Sequence, residues 1–195
     1  MTAFADMLDL QVAVVDLIGD ETIVEVMPRL VRLAEASFNR KIRAREQITQ
    51  ATLTFASGSA TLPTAVAEII GLFDSNGREY LQTSLQTVQD GTVFSFYALD
   101  AANIVAPGIE GTATLQYYAT LSTLTASMTT SNWLLQRYPG VYLYGVGLEA
   151  AKFKKDIEAA TTIGALLKAE MDDLARDDAG IRYSRARIRV EGVTP

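Results

Sequence analysis

The sequence predicts an α+β fold: a helical bundle formed by the N- and C-terminal helices, a small antiparallel β unit inserted between them, and an extended C-terminal arm. Three observations predict it. Apolar residues recur near a 3.6 period at about 3–45 and again at about 131–178. Between them, at about 48–121, the period falls to two and turn dipeptides appear. After residue 178 arginines alternate with apolar residues. A length of 195 residues suits one domain, placed here at 1–178, with 179–195 as the arm.

The first helix follows from the spacing of Phe4, Met7, Leu8, Leu10, Val14, Val15 and Ile18, and Gly19-Asp20 ends it. A short helical turn spans Glu21 to Met27. Pro28 then opens a longer helix, where its missing N–H costs nothing. Leu30, Ala34, Phe38 and Ile42 form one face of that helix, while Arg29, Arg32, Arg40, Lys41 and Arg43 cover the rest. In the β region, Thr52-Leu53-Thr54-Phe55 alternates and Ala60-Thr61-Leu62-Pro63 closes the segment. Asp74-Ser75-Asn76-Gly77 reads as a hairpin turn, and Asp90-Gly91 as a second one before Val93-Phe94-Ser95-Phe96-Tyr97. After Pro107-Gly108, Ala113, Leu115 and Tyr117 point one way and Thr112, Thr114 and Gln116 the other.

Helix resumes with Ser131 or Asn132 as the cap of Trp133-Leu134-Leu135. Pro139 starts another helix bearing Tyr142, Leu143, Val146, Ala150 and Phe153, in which Gly145 and Gly147 permit a close neighbour. Thr161-Thr162 is expected to break or cap the chain before a last helix carrying Ile163, Leu166, Leu167, Met171 and Leu174. In the arm, Arg185, Arg187 and Arg189 share one face of an extended strand and Ala186, Ile188 and Val190 the other, a pattern suited to a partner's sheet edge or groove.

Composition narrows the function. The chain is 49% hydrophobic and 21% charged, too apolar to remain unfolded in water. It has no cysteine, which excludes disulfides, thiolate metal sites and thiol nucleophiles. It has no histidine, the usual general base and zinc ligand. A net charge of −6 opposes binding of nucleic acid through its phosphates. The charge is segregated. Residues 1–28 carry six acids and no base, residues 29–45 six bases and only Glu35, and residues 46–151 only ten charged side chains in all. So sparse a charge suits surfaces that another protein covers. The start, Met1-Thr2-Ala3-Phe4-Ala5-Asp6, has no positive leader, and no apolar run approaches the roughly 18 residues that span a bilayer. A soluble protein made in the cytosol is expected.

No catalytic set stands out. Asp172-Asp173 and Asp177-Asp178 are adjacent pairs that diverge on a helix. Ser57-Gly58-Ser59 and Gly108 to Gly111 lack the spacing of phosphate-binding loops. Trp133, Tyr138, Tyr142 and Tyr144 have helical spacing, more usual for core or interface residues than for a base-stacking platform. The reading is a protein that is not an enzyme and has no catalytic, metal or cofactor residues.

Several segments in order suggest a family. The helix Ala34-Glu35-Ala36-Ser37-Phe38-Asn39-Arg40-Lys41-Ile42-Arg43, the pair Leu62-Pro63, and the strand Leu115-Gln116-Tyr117-Tyr118-Ala119 with Leu121-Ser122 resemble elements of tailed-phage head-to-tail adaptor proteins of the podovirus type. The most specific segment is Thr130-Ser131-Asn132-Trp133-Leu134-Leu135 through Tyr138-Pro139 to Val141-Tyr142-Leu143-Tyr144-Gly145. Two positions depart from the family pattern: Ala65 and Gly140 stand where an Asp is usual.

The resemblance implies a structural virion protein of the head-to-tail interface. It would be a ring, usually of twelve copies, that docks on the portal protein, extends the DNA channel and offers its lower face to the tail tube or nozzle protein. Duplex DNA would pass through the lumen without specific binding, and no membrane is involved. The arm residues Arg182, Arg185, Arg187, Ile188 and Arg189 would contact the portal, and Asn39, Arg40, Trp133, Tyr142 and Tyr144 would serve subunit or core packing. A tail-completion or tail-terminator ring, or a non-viral protein-binding module, is the alternative.

Overall fold

A computed structural model describes residues 4–90 and 95–183. These residues form six α-helices and a seven-stranded sheet in mixed α/β order, divided into two compact units. One unit takes the chain up to Arg45 and again from Leu121, and the other is Glu46–Thr120.

The first unit is helical. Helix α1 (Met7–Ile18) starts where the Asp6 carboxylate accepts the N–H groups of Leu8 and Asp9, a cap contributing about 1 kcal/mol. It ends at Gly19, whose φ of 68° is the left-handed conformation that glycine adopts freely. A 3₁₀ segment (Glu21–Val26) leads into α2 (Met27–Lys41), with Pro28 in its first turn as expected. Helix α2 stops short of residue 45: Ile42 is extended, and the Arg43 guanidinium donates to the carbonyls of Asn39 and Ile42, satisfying the end of the helix. Met7, Leu10 and Val14 of α1 and Leu30, Ala34 and Phe38 of α2 are buried.

The remainder of this unit is α4 (Trp133–Arg137), α5 (Pro139–Lys154) and α6 (Ile157–Tyr183). Helix α5 is central and packs against α1, α2, α4 and α6. Asn132, rather than Ser131, caps α4 through an N–H from Leu135, at 3.0 Å. Thr161-Thr162 does not interrupt the last helix. Each hydroxyl donates to the carbonyl four residues earlier, Thr161 to Ile157 and Thr162 to Glu158, so both threonines are absorbed into α6. The break lies earlier, at Lys155, whose φ is 60°, and Asp156 accepts the Ala159 N–H. The boundary expected at residue 179 is also not where the helix ends. Residues 179–183 are the last turn of α6, held on course by Leu174 and Asp178, four apart and both buried. Arg182 therefore lies in a helix, and Arg185, Arg187, Ile188 and Arg189 fall outside the described residues.

The second unit contains β1 (Ile48–Phe55), β2 (Ser59–Thr61), β3 (Val66–Asp74), β4 (Glu79–Gln82), α3 (Leu85–Gln89), β5 (Phe96–Asp100), β6 (Asn103–Val105) and β7 (Gly111–Ala119). The strand order is β1-β7-β3-β4-β5-β6-β2. The two end strands are consecutive in sequence and meet at Ser57-Gly58, with φ of 53° and 73°, where Ala56 and Ser59 exchange both backbone hydrogen bonds. The sheet thus curls back on itself and leaves little free edge. Period-two patterning reads through directly: Leu53, Phe55, Ala113, Leu115 and Tyr117 point into the core.

Asp74-Gly77 does form the β3–β4 turn, with the Asp74 carboxylate accepting N–H groups from Asn76 and Arg78. Asp90-Gly91 does not make a hairpin. Helix α3 ends at Asp90, and the chain crosses over so that β5 pairs with β4 in parallel. The unit is therefore not wholly antiparallel. The Ser84 hydroxyl accepting the Thr87 N–H starts α3, and Val88 buries it. No helix among the described residues is long and apolar enough to cross a membrane.

Candidate functional site

Among the described residues the helical unit buries two carboxylates, Glu35 and Asp178. Glu35 is 5% exposed on the buried face of α2. Its oxygens accept the Leu124 N–H at 2.7 Å, the Thr123 hydroxyl at 2.8 Å and the Tyr142 hydroxyl at 3.3 Å. The Tyr142 oxygen in turn accepts Asn132 Nδ2 at 2.7 Å, and the same nitrogen donates to the Ser122 carbonyl at 2.8 Å. One turn further along α2, Asn39 Oδ1 accepts the Leu121 N–H at 2.8 Å. Glu35, Asn39 and Asn132 thereby strap the irregular segment 121–132 onto α2 and α5. Its polar backbone would otherwise be costly to bury.

Burial, reinforced by the charge of Glu35, raises the Tyr142 hydroxyl far above its ordinary pKa. It remains a neutral donor and acceptor rather than a nucleophile. Its ring meets Phe38 edge to face, with centroids 5.3 Å apart and an angle of 82°. Directly beside that pair is Gly145, where a Cβ would fall 2.3 Å from the Phe38 ring. The arrangement fixes a loop. No group of three or more His, Cys, Asp or Glu among the described residues is placed to hold a metal ion.

Of the packing residues named from sequence, Asn39 and Tyr142 belong to this network, and Tyr144 is half-buried against the same core. Trp133 is half-buried, edge to face with Tyr138 at 6.4 Å. Arg40 is exposed on α2. Sequence reasoning missed Glu35 and Asn132 as a pair. The available signal was the lone acid in a block of six bases, since an acid that breaks a charge pattern on an amphipathic helix has another partner. The departure at Gly140 also has a local account. A Cβ there would lie 2.5 Å from the Glu170 carboxyl group, so α6 supplies an acid beside the first turn of α5 where the chain itself has none.

Away from the network the unit is closed by further polar pairs. Lys154 meets Asp20 at 2.9 Å. The hydroxyl of Thr22 foremost, then Lys154, hold the Asp20 carboxyl down at about 2, from its ordinary 3.8. Asp177 receives the Tyr138 hydroxyl and lies 3.5 Å from Arg137, and Asp178 accepts the Arg45 N–H at 3.0 Å.

Of the segments that carry the resemblance, 34–43, 121–122 and 130–145 converge on this network. The profile of the SU10 adaptor protein family matches residues 5–190. The chain belongs to that family. It is a phage head-to-tail adaptor family, structural rather than enzymatic, and membership makes the chain a virion component that associates with portal and tail proteins. No curated protein matches the sequence.

Proposed function

We propose that the chain is a ring-forming head-to-tail adaptor that docks on the portal, extends the DNA channel and provides the attachment site for the tail. The observation that carries this reading is the family match across residues 5–190. Unsatisfied apolar surface supports it: on the helical unit Phe153 is 53% exposed and Ile157 81%, the kind of side chain that partners cover.

The arm acts at the portal. Its alternating basic and apolar residues suit a partner's sheet edge or groove. Deleting residues 184–195 should leave the melting curve of the remainder unchanged and weaken attachment to portal-bearing particles; unchanged attachment would remove the arm from the mechanism. The lumen should be acidic or neutral, because fixed cations would hold phosphates and slow the passage of DNA. The direct test of the whole reading is particle mass by light scattering, with and without portal particles. Multiple copies per portal are expected, and a chain that binds no portal contradicts the proposal.

A further inference from the structure

Two exposed stripes of the helical unit carry opposite charge. On α1, Leu8, Asp9, Val12 and Asp16 recur at three- and four-residue spacing and all are exposed, Leu8 by 49% and Val12 by 55%. Glu21 and Glu25 of the 3₁₀ segment are exposed acids as well, outside this stripe. On α2, Arg29, Arg32, Leu33, Ala36 and Arg40 form the corresponding exposed stripe, with Leu33 exposed by 48%. Among the described residues none of these acids or arginines takes part in an ion pair. Each stripe is an apolar strip rimmed by charges of one sign, the composition of an interface centre with its border.

Two glycines of α5 fix where the stripes lie. A Cβ at Gly145 would run into Phe38 of α2, and one at Gly147 would fall 2.8 Å from Leu17 of α1. Positions two apart on a helix are separated by about 200° around its axis. Helices α1 and α2 therefore flank α5 on opposing sides. Each turns its apolar residues inward, Leu10 and Val14 on one side, Leu30 and Ala34 on the other. The acidic stripe and the basic stripe consequently face away from each other.

We infer that copies of this chain join head to tail, the α1 stripe of one copy against the α2 stripe of the next. This rests on the ring reading above. Two different, complementary faces on opposite flanks make a heterologous contact, the kind that closes into a ring. A two-fold contact of either stripe with itself would oppose like charges, which costs affinity. Leu8 and Val12 would lie against Leu33, and the acids against Arg29, Arg32 and Arg40.

The chain has no native cysteine, so introduced pairs report without background. In portal-bound particles, the double variant Val12→Cys, Leu33→Cys should give a ladder of cross-linked multimers with a short bismaleimide, while each single variant gives none. Reversing the acidic stripe (Asp9→Lys, Asp16→Lys) or the basic one (Arg29→Glu, Arg32→Glu, Arg40→Glu) should raise the concentration for half-assembly by about tenfold or more. Mixing the two reversed variants should restore assembly, because every contact then again joins opposite signs, and restoration shows that both variants fold. Rings that form while the reversed variants assemble normally, or while the double variant stays uncross-linked, overturn this contact and leave the ring reading standing. A wild-type chain that seats on the portal as one copy overturns both.

Discussion

The two units solve the problem of a folded interior differently. The β unit has a core of Leu53, Phe55, Leu72, Ile104 and Leu115 with tyrosines at its margin, and its irregular backbone is absorbed by strand pairing. Its one buried polar side chain among the described residues is Gln47, which donates to the Ala119 carbonyl at 3.1 Å. The helical unit has a larger apolar core, yet it buries Glu35, Asn132 and Asp178. The difference follows from chain order. The β unit is one continuous segment, whereas the helical unit joins two segments separated by that insertion. Apolar contacts are non-directional, and hydrogen bonds donated to Glu35 and Asn39 give the returning chain a defined register.

Glu35→Leu should therefore have the largest effect, a loss of about 3–5 kcal/mol, since it leaves the Leu124 N–H and the Tyr142 hydroxyl buried without an acceptor. Hydrogen exchange should show the loss in α2, α5 and segment 121–132 and spare the β unit. Uniform loss in both units would end the distinction drawn here. Leu115→Ala makes the reciprocal change, about 2–5 kcal/mol from a cavity in the middle of β7. Exchange should then accelerate first in the sheet, which a single global transition would contradict.

Gly145→Ala should cost about 1–3 kcal/mol by forcing the Phe38 ring aside. The double variant Gly145→Ala, Phe38→Leu should recover part of it in thermal melts, and simple additivity would mean that the two sites are uncoupled. Asp20→Asn has the smallest effect and a particular pH dependence. The folded state lowers the pKa of Asp20 from 3.8 to about 2, so its contribution is present above about pH 4 and disappears as pH falls through about 2. The difference in Tm between wild type and variant should be constant at neutral pH and close to zero at pH 2; a difference that grows on acidification would reverse the assignment.

Much of the architecture was legible in one dimension. Leu30, Ala34 and Phe38 announce the inward face of α2, Thr52 to Phe55 the alternation of β1, and Asp74-Gly77 the β3–β4 turn, because these depend on residue spacing and local backbone preference. Where reading failed, a neighbour decided. Thr161-Thr162 looked like a boundary until their hydroxyls were satisfied within α6, and Asp90-Gly91 looked like a hairpin until β5 aligned in parallel with β4.

The same division runs through function. Absence of histidine and cysteine, segregation of charge and the ordered motif segments were all present in the sequence, and they sufficed to point away from catalysis and towards assembly. That Glu35, Asn132 and Tyr142 act as one unit was decided by tertiary structure alone. They lie up to 107 positions apart, and a hydrogen bond depends on distance and angle in space, which residue order does not encode. The opposition of the acidic and basic stripes across α5 is likewise a property of packing, set where two glycines let helices approach from opposite sides.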